Sequence, residues 1–304
     1  MPEGSAMIDT EARPAASPVI GNVSDTARWV AVYRAMESER PDAIFRDPYA
    51  RRLAGARGEE IVRTMRRGRS MAWPMIVRTA VFDELIMHVI ERDAVDLVLN
   101  LAAGLDARPY RLPLPSTLRW VDVDLPGILA YKAEQMAAER PRCVLETAAV
   151  DLTDTDARRA LFARLGSDAR RVLVVSEGLL AYLTPEQVGA LATDLHAQPS
   201  FTSWITEIAS PYILRMMQRM WGKQLGAARA PMHFGPAEGG EFFRPYGWRV
   251  AESRSVMDEA VRLNRMMRGA WIWRVLGLFA TPQQRARRQE EWRKASSILE
   301  LARV

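Results

Sequence analysis

Two short stretches place a glycine and a pair of acids directly after apolar runs. In VLNLAAGLDARPYRL, Gly104 follows a run typical of a strand buried on both faces. In VDVDLP, Asp124 comes 20 residues after Gly104. A loop that lets the backbone approach a ligand, followed at this spacing by a carboxylate, is typical of a site that binds the ribose hydroxyls of a nucleotide. Asp122 lies on the same side of the pleat, but Asp124 is nearer the strand's carboxyl end and is preferred. The alternative is that both acids simply end a strand.

Two further acids follow predicted strands. Asp151, with Leu152 beside it, could accept a hydrogen bond from an adenine amino group while the leucine packs against the ring. Glu177, in SEGLLAYL, could face a cationic group of a ligand. Each has an ordinary alternative, since Asp151 could cap a helix and Glu177 could be a solvated carboxylate. Because ligands of open α/β sheets bind at the carboxyl ends of the strands, the features together predict one site.

Strands that alternate with helices from residue 93 onward must position these residues. This alternation predicts an α/β, Rossmann-like fold of βαβ units. Thr184, Pro185 and Gln187 form a capping-box signature for one of the helices. The predicted strands cover residues 97–101, 118–125, 143–152, 171–178, 203–210, 248–253 and 298–304.

The remaining chain divides into segments without strand alternation. Residues 1–22 are rich in Pro, Ala and Ser, which predicts a disordered tail. Residues 23–92 have helical spacing and predict an α-helical cap, with helices beginning at Ser24, after Pro48 and near residue 76. Residues 93–304 would form the cofactor-binding domain. Within it, an insertion after strand five, about 211–245, would act as a lid, and a later helix would be capped by Thr281 and Pro282.

Composition narrows the class of protein. The net charge is +5, but arginines alternate with acids except in runs at residues 65–70 and 284–294, so no nucleic-acid partner is predicted. A single cysteine, Cys143, and three dispersed histidines offer no disulfide and no metal-ligand spacing, so no metal is expected. No run of 18 apolar residues or leader pattern occurs. We therefore expect a cytoplasmic protein that does not associate with membranes, with its oligomeric state open.

The chain resembles the leucine carboxyl methyltransferase family, S-adenosylmethionine-dependent enzymes that include bacterial O-methyltransferases of polyketide pathways. The resemblance implies a Rossmann-like methyltransferase sheet of seven strands, the last antiparallel, with an added helical cap. The matching pieces, in the family's order, are DTARWVAVYRAMESERPDAIFRDPYA, RTAVFD, NLAAGLDARPYRL, VDVDLP, VDLTD, SEGLLAYLTPEQ and FFRPYGWRV.

The resemblance also implies a role for each candidate residue. Arg78 of RTAVFD would bind the carboxylate of S-adenosyl-L-methionine through its rigid fork, and Glu177 would bind the amino group. Gly104 would line the methionine portion, Asp124 would take the ribose, and residues 151–152 (Asp and Leu) would hold the adenine. The chain departs from the family at Ala102, where many members have glycine, so the backbone there must accept a Cβ.

The predicted reaction is methyl transfer to an oxygen of a small metabolite. A carboxylate acceptor is ionised near pH 7 and needs no base, whereas a hydroxyl acceptor would benefit from one, for which Tyr182 and His233 are the candidates. One alternative is an NAD(P)-dependent oxidoreductase or epimerase, but the chain lacks the G-x-G-x-x-G loop that is typical of such enzymes. The other alternative is a non-catalytic scaffold that only binds the cofactor.

Overall fold

The computed structural model describes residues 23–65, 68–227, 231–266 and 295–304. These residues form a seven-stranded sheet in the order β3-β2-β1-β4-β5-β7-β6. Only β7 runs against its neighbours, so the predicted α/β fold with a reversed last strand is confirmed. The strands are β1 (Leu97–Leu101), β2 (Arg119–Asp124), β3 (Val144–Ala149), β4 (Val172–Ser176), β5 (Phe201–Ala209), β6 (Trp248–Ser255) and β7 (Ser296–Arg303).

The central strands end together at one edge of the sheet. Every residue of β1 and β4 is buried, as expected for parallel strands covered on both faces. Leu101, the last residue of β1, pairs with Val123 of β2 and with Ser176 of β4. The loops that follow these three strands therefore begin side by side.

Nine helices accompany the sheet within the described part of the chain. Short 3₁₀ turns lie at Arg69–Met71, Leu180–Tyr182 and Gly239–Tyr246. The predicted capping box is confirmed at α7, where the Thr184 hydroxyl accepts from the Gln187 N–H and the Gln187 side chain accepts from the Thr184 N–H. The helices are α1 (Val23–Ser38), α2 (Ala50–Thr64), α3 (Trp73–Asp93), α4 (Arg108–Arg111), α5 (Pro126–Gln135), α6 (Thr155–Asp168), α7 (Pro185–His196), α8 (Pro211–Ala227) and α9 (Val256–Arg262).

The three amino-terminal helices pack in two different ways. Helices α1 and α2 pack in an apolar cluster that also includes residues of the loop after β1 and of α5, and in which Tyr33 and Leu53 are fully buried. Helix α3 instead lies on the sheet, with Leu85 in one cluster with Val98 and Val175. Helices α6 and α7 cover the opposite face. Helix α3 thus contributes to both clusters, with Ile76 in that of α1 and α2 and Val77 in that of the sheet.

Some predicted boundaries are corrected. Helix α1 already includes Val23, so Ser24 lies in its first turn and is not its N-cap. The segment after β5, predicted as an insertion, begins with the 17-residue helix α8. No helix among the described residues has both the length and the apolar character needed to cross a bilayer. The predicted tail at 1–22, the helix starting at 281–282 and the basic run at 284–294 lie outside the described residues.

Candidate functional site

A cavity opens at the carboxyl ends of β1, β2 and β4, beneath helix α1. The loops after these strands bring Gly104, Asp124 and Glu177 to its wall, and helix α3 adds Arg78. Tyr182, from the 3₁₀ turn after β4, also lines it. Four residues predicted to bind cofactor and one predicted to be catalytic therefore share one cavity.

The loop after β1 has an unusual backbone. Ala102 and Gly104 both adopt left-handed conformations, each with a φ of 52°. A Cβ at position 104 would lie 3.2 Å from the Cβ of Ala27 on α1, so glycine avoids both a tight contact and the strain of a left-handed backbone. Ala102 shows that the backbone does accept a Cβ where the family often has glycine, at a cost in strain.

The two acids of β2 have separate surroundings. Asp124 Oδ2 accepts from the Gly104 N–H at 2.6 Å and Oδ1 from the Leu125 N–H at 2.7 Å. Burial raises the pKa of Asp124, and no ammonium or guanidinium among the described residues forms an ion pair with it. Asp122 is fully buried and accepts from Lys132 Nζ at 2.7 Å and from Asn100. The carboxylate of Asp122 is therefore already bound by partners inside the protein, whereas the carboxylate of Asp124 faces the cavity.

Glu177 lies between two guanidinium groups. Arg78 Nε donates to its Oε1 at 2.9 Å, and Arg108 Nη1 lies 2.8 Å from its Oε2. Burial alone would raise the pKa of Glu177, but Arg108 and Arg78 outweigh it and hold that pKa below its ordinary value. Glu177 is therefore ionised near neutral pH, and Arg78 is fixed at the cavity wall.

Sequence reasoning missed several charged residues of this wall. Arg108 is 2% exposed and pairs with Asp83 and Asp106 as well as with Glu177. Arg34, on α1, donates from Nη2 to the Leu105 carbonyl at 2.6 Å. Both arginines occur in segments already singled out, DTARWVAVYRAM and NLAAGLDARPYRL, but only the folded chain shows their partners.

The pair at 151–152 lies at the same edge of the sheet but does not line the cavity. Asp151 is exposed, and its Oδ1 accepts from the N–H and the hydroxyl of Thr153. Leu152 is partly buried against the core. The Val150 N–H donates to the Asp124 carbonyl at 3.1 Å, so this loop continues directly from the wall that carries Asp124.

The structure separates the two catalytic candidates. Tyr182 lines the cavity, hydrogen bonds with Thr26, and has its pKa raised by burial. His233 is exposed and lines a different, shallow pocket beside α8, although its N–H donates to the Ala181 carbonyl at 2.7 Å. Only Tyr182 is thus placed with the predicted cofactor residues.

A further acid, Glu207 of β5, approaches Arg78 from the other side. Its Oε1 accepts from the Gly178 N–H at 2.6 Å and lies 3.4 Å from Arg78 Nη1. Burial raises the pKa of Glu207 to about 7. No motif marks this residue, because its importance depends on partners far away in the sequence.

The model of the family described as leucine carboxyl methyltransferase matches residues 27–196 of this chain. The chain belongs to the leucine carboxyl methyltransferase family. The match includes most of α1, all of α3 and the loops after β1, β2 and β4, and so covers most of the cavity wall just described. The resemblance predicted from the sequence motifs is confirmed.

Curated relatives of this family member include proteins of Streptomyces coelicolor and Mycobacteroides abscessus. A protein of Streptomyces coelicolor, named "Putative S-adenosyl-L-methionine-dependent methyltransferase SCO7813", is 37% identical over 185 residues, 57% of this chain and 64% of its own. A Mycobacteroides abscessus protein with the same functional name is 40% identical over 177 residues, 54% of this chain and 56% of its own. The alignments thus cover less than two thirds of these relatives' length.

Solved structures support the fold of this family member. A DUF574 family protein from Streptomyces avermitilis superimposes with a TM-score of 0.59 over 92% of this chain and 97% of its own, at 15% identity. A Thermobifida fusca protein gives a TM-score of 0.52 over 94% and 96% of the two chains, at 14% identity. At these identities the likeness concerns the fold alone.

Proposed function

We propose that this chain is an S-adenosylmethionine-dependent O-methyltransferase that methylates a carboxylate or hydroxyl oxygen of a small metabolite, such as a polyketide. The observation that carries the proposal is that a single cavity collects Arg78, Gly104, Asp124 and Glu177 in a member of the leucine carboxyl methyltransferase family. The names of the curated relatives support the same cofactor.

The cavity wall suits the chemistry of this cofactor. Asp124 offers a carboxylate without a cationic partner among the described residues, as the two hydroxyls of a ribose require. At the other end, Arg78 Nη2 has no hydrogen-bond partner among the described residues and can bind a carboxylate. Glu177 retains lone pairs for an ammonium group, because each of its oxygens can accept two hydrogen bonds. Residues 151–152 would flank the adenine beside Asp124.

When bound, S-adenosylmethionine supplies a methyl group that its sulfonium has already activated. The chain's contribution is then to hold the acceptor oxygen in line with that methyl group, at about 3 to 3.5 Å, and to exclude water. Helix α1 covers the cavity, and Tyr182 closes it on the side of the 3₁₀ turn. Since burial raises its pKa, Tyr182 would keep its proton and orient an acceptor by donating a hydrogen bond.

His233 would act as a base only if its exposed side chain moved toward the cavity, so its catalytic role has weaker support than that of Tyr182. A carboxylate acceptor would require neither residue as a base.

Binding and turnover together test the proposal. Calorimetry and thermal shift with S-adenosylhomocysteine, NAD and NADP would identify the cofactor, and transfer of a labelled methyl group to a panel of carboxylic acids and phenols would measure the activity. We expect stabilisation by S-adenosylhomocysteine alone and labelling of at least one acid or phenol. Stabilisation by a nicotinamide cofactor alone would instead indicate an oxidoreductase. Tight binding without any methyl transfer would indicate a scaffold.

A further inference from the structure

Glu207 is a partly buried acid that the proposed cofactor contacts leave unused. It stands near the carboxyl end of β5, and its side chain is 17% exposed. Its Oε1 accepts from the Gly178 N–H and faces Arg78, whose Nε is bound to Glu177. Its Oε2 is buried and accepts no hydrogen bond from the described residues. One of the two carboxyl oxygens of Glu207 therefore has no hydrogen-bond donor among the described residues.

Glu207 also ends a chain of ion pairs that runs along the cavity wall. Arg78 links it to Glu177 at 3.4 and 2.9 Å, and Arg108 links Glu177 to Asp83 at 2.8 and 2.7 Å. The chain then continues to α1. Its four guanidinium groups belong to Arg34, Arg78, Arg108 and Arg111, and its five carboxyl groups belong to Asp47, Asp83, Asp106, Glu177 and Glu207.

The ion-pair chain therefore contains one more carboxyl group than guanidinium groups. Glu207 is the least compensated, because it shares Arg78 with Glu177 at the longer distance. Burial raises its pKa to about 7, so near neutral pH it is divided between its two protonation states. The charged and titratable groups that face it are Arg78 of α3, Glu177 after β4 and Tyr182 of the 3₁₀ turn.

Among the described residues, no element packed against β5 other than α3 forms an ion pair with Glu207, and the two charged residues of the 3₁₀ turn at Gly239–Tyr246, Glu241 and Arg244, pair with each other. On β7 its partner is Ile298, and on β4 the last paired residue, Ser176, stands opposite Thr206. No described residue of α8 forms an ion pair with it. A cation bound in the cavity would therefore be a new influence on its ionisation.

We propose that Glu207 is a specificity residue that makes the site favour the cationic, methyl-bearing cofactor over its neutral thioether product. The inference rests on the proposed function. S-adenosylmethionine carries one more positive charge than S-adenosylhomocysteine, and that charge compensates the excess carboxylate. On binding of the cation, the Glu207 carboxyl group releases its proton to solvent. After methyl transfer the positive charge is gone, the carboxylate recovers a proton, and the product is held less tightly.

Proton release on binding is the direct readout. Calorimetry at pH 7 in two buffers of different ionisation enthalpy would count the protons released when each ligand binds to the wild type, to Glu207→Gln and to a matched control, Glu146→Gln. Glu146 is a half-exposed acid of β3 that pairs with Arg119. For the wild type we expect S-adenosylmethionine to release about 0.4 proton more than S-adenosylhomocysteine, since a half-protonated carboxyl becomes ionised. Glu207→Gln should lose this difference, and Glu146→Gln should keep it.

The outcomes separate this inference from the proposed function. Equal proton release by the two ligands in the wild type, or a difference that survives in Glu207→Gln, would overturn the role of Glu207. Failure of both ligands to bind the wild type would overturn the proposed function itself. If Glu207→Gln does not fold, the pH dependence of ligand binding to the wild type still tests the inference. Its preference for S-adenosylmethionine should rise about fivefold from pH 5.5 to 7.5, and a constant preference would contradict the inference.

Discussion

Asp122 and Asp124 are two residues apart on one strand, but their carboxylates have different partners and different roles. Asp122 is neutralised by Lys132 inside the protein, whereas Asp124 holds only backbone N–H groups and faces the cavity. Their different partners allow ligand binding and stability to be separated by one substitution at each position.

We expect Asp124→Asn to weaken binding of S-adenosylhomocysteine by about 10- to 100-fold, because a charged acceptor for the ribose hydroxyls is lost. The amide can accept from only one of the two backbone N–H groups, so stability should fall by about 1 kcal/mol. Asp122→Asn should instead lower the free energy of unfolding by about 3 to 5 kcal/mol, because it leaves Lys132 buried without its partner. Calorimetry and urea denaturation would measure the two effects. Undiminished binding by Asp124→Asn would show that this residue does not hold the ribose.

Ala102 provides a second test at the scale of a residue. Its left-handed backbone costs an alanine about 1 kcal/mol, so Ala102→Gly should raise the free energy of unfolding by about 0.5 kcal/mol after the added entropy of the unfolded glycine. Ala94, at the end of α3, has a φ of 49° and is a matched control away from the cavity. Ala94→Gly should stabilise by a similar amount. Destabilisation of both variants in urea would contradict the left-handed conformations.

Sequence reasoning found the residues of the site that follow their own strands. Gly104, Asp124 and Glu177 could be predicted because their position depends only on where a strand ends. Arg108 and Glu207 could not, because what distinguishes them is a partner brought close by folding. Glu207, for example, faces Arg78 across 129 positions of sequence.

At the scale of elements, strands were predicted more accurately than the helix after β5. Buried strands such as β1 and β4 can be recognised from their apolar composition, and β1 was predicted with its observed bounds. Helix α8 was not predicted, because residues 211–241 are rich in Met, Gly and Pro and show no strand alternation. Pro211, however, stands at the start of the helix, where proline is well tolerated. Helix α3 begins at Trp73, three residues before its predicted start, and ends at Asp93, before a left-handed Ala94.

The capping box of α7 is an element whose contribution can be measured. Thr184→Ala removes the hydroxyl that accepts from the Gln187 N–H and should lower the free energy of unfolding by about 1 kcal/mol. Ser167→Ala is a suitable control, because its exposed hydroxyl bonds only near the end of α6 and its loss should cost little. Equal stabilities of the two variants in urea would argue against the observed cap.

At the scale of the whole molecule, the cap and the sheet meet across a charged layer. The ion-pair chain begins on β5, passes along the cavity wall and reaches Arg34 on α1, so elements distant in sequence share one electrostatic network. Truncating one partner of such a buried network leaves a charge without compensation. The positions of the charged residues in the cavity wall therefore depend on contacts between elements that are distant in the sequence.

This network predicts how stability depends on pH. Glu207 has a pKa of about 7 in the folded state, above its ordinary value of 4.5, so the folded state binds more protons between these two values. Its contribution to the free energy of unfolding must therefore fall as the pH rises from 4.5 to 7. Relative to the wild type, Glu207→Gln should gain about 2 to 3 kcal/mol between pH 4.5 and pH 8. Urea denaturation at both pH values would measure this gain, and an equal difference at both would contradict the raised pKa. Glu146→Gln again serves as the control.

The central claim is that one nucleotide-bearing cofactor spans the carboxyl ends of β2, β1 and β4. A crystal structure with S-adenosylhomocysteine tests it most directly. The account predicts the ribose hydroxyls on Asp124 and the amino-acid end between Arg78 and Glu177, over the loop at Gly104. A ligand bound elsewhere, or bound in this cavity with the ribose away from Asp124, would contradict it.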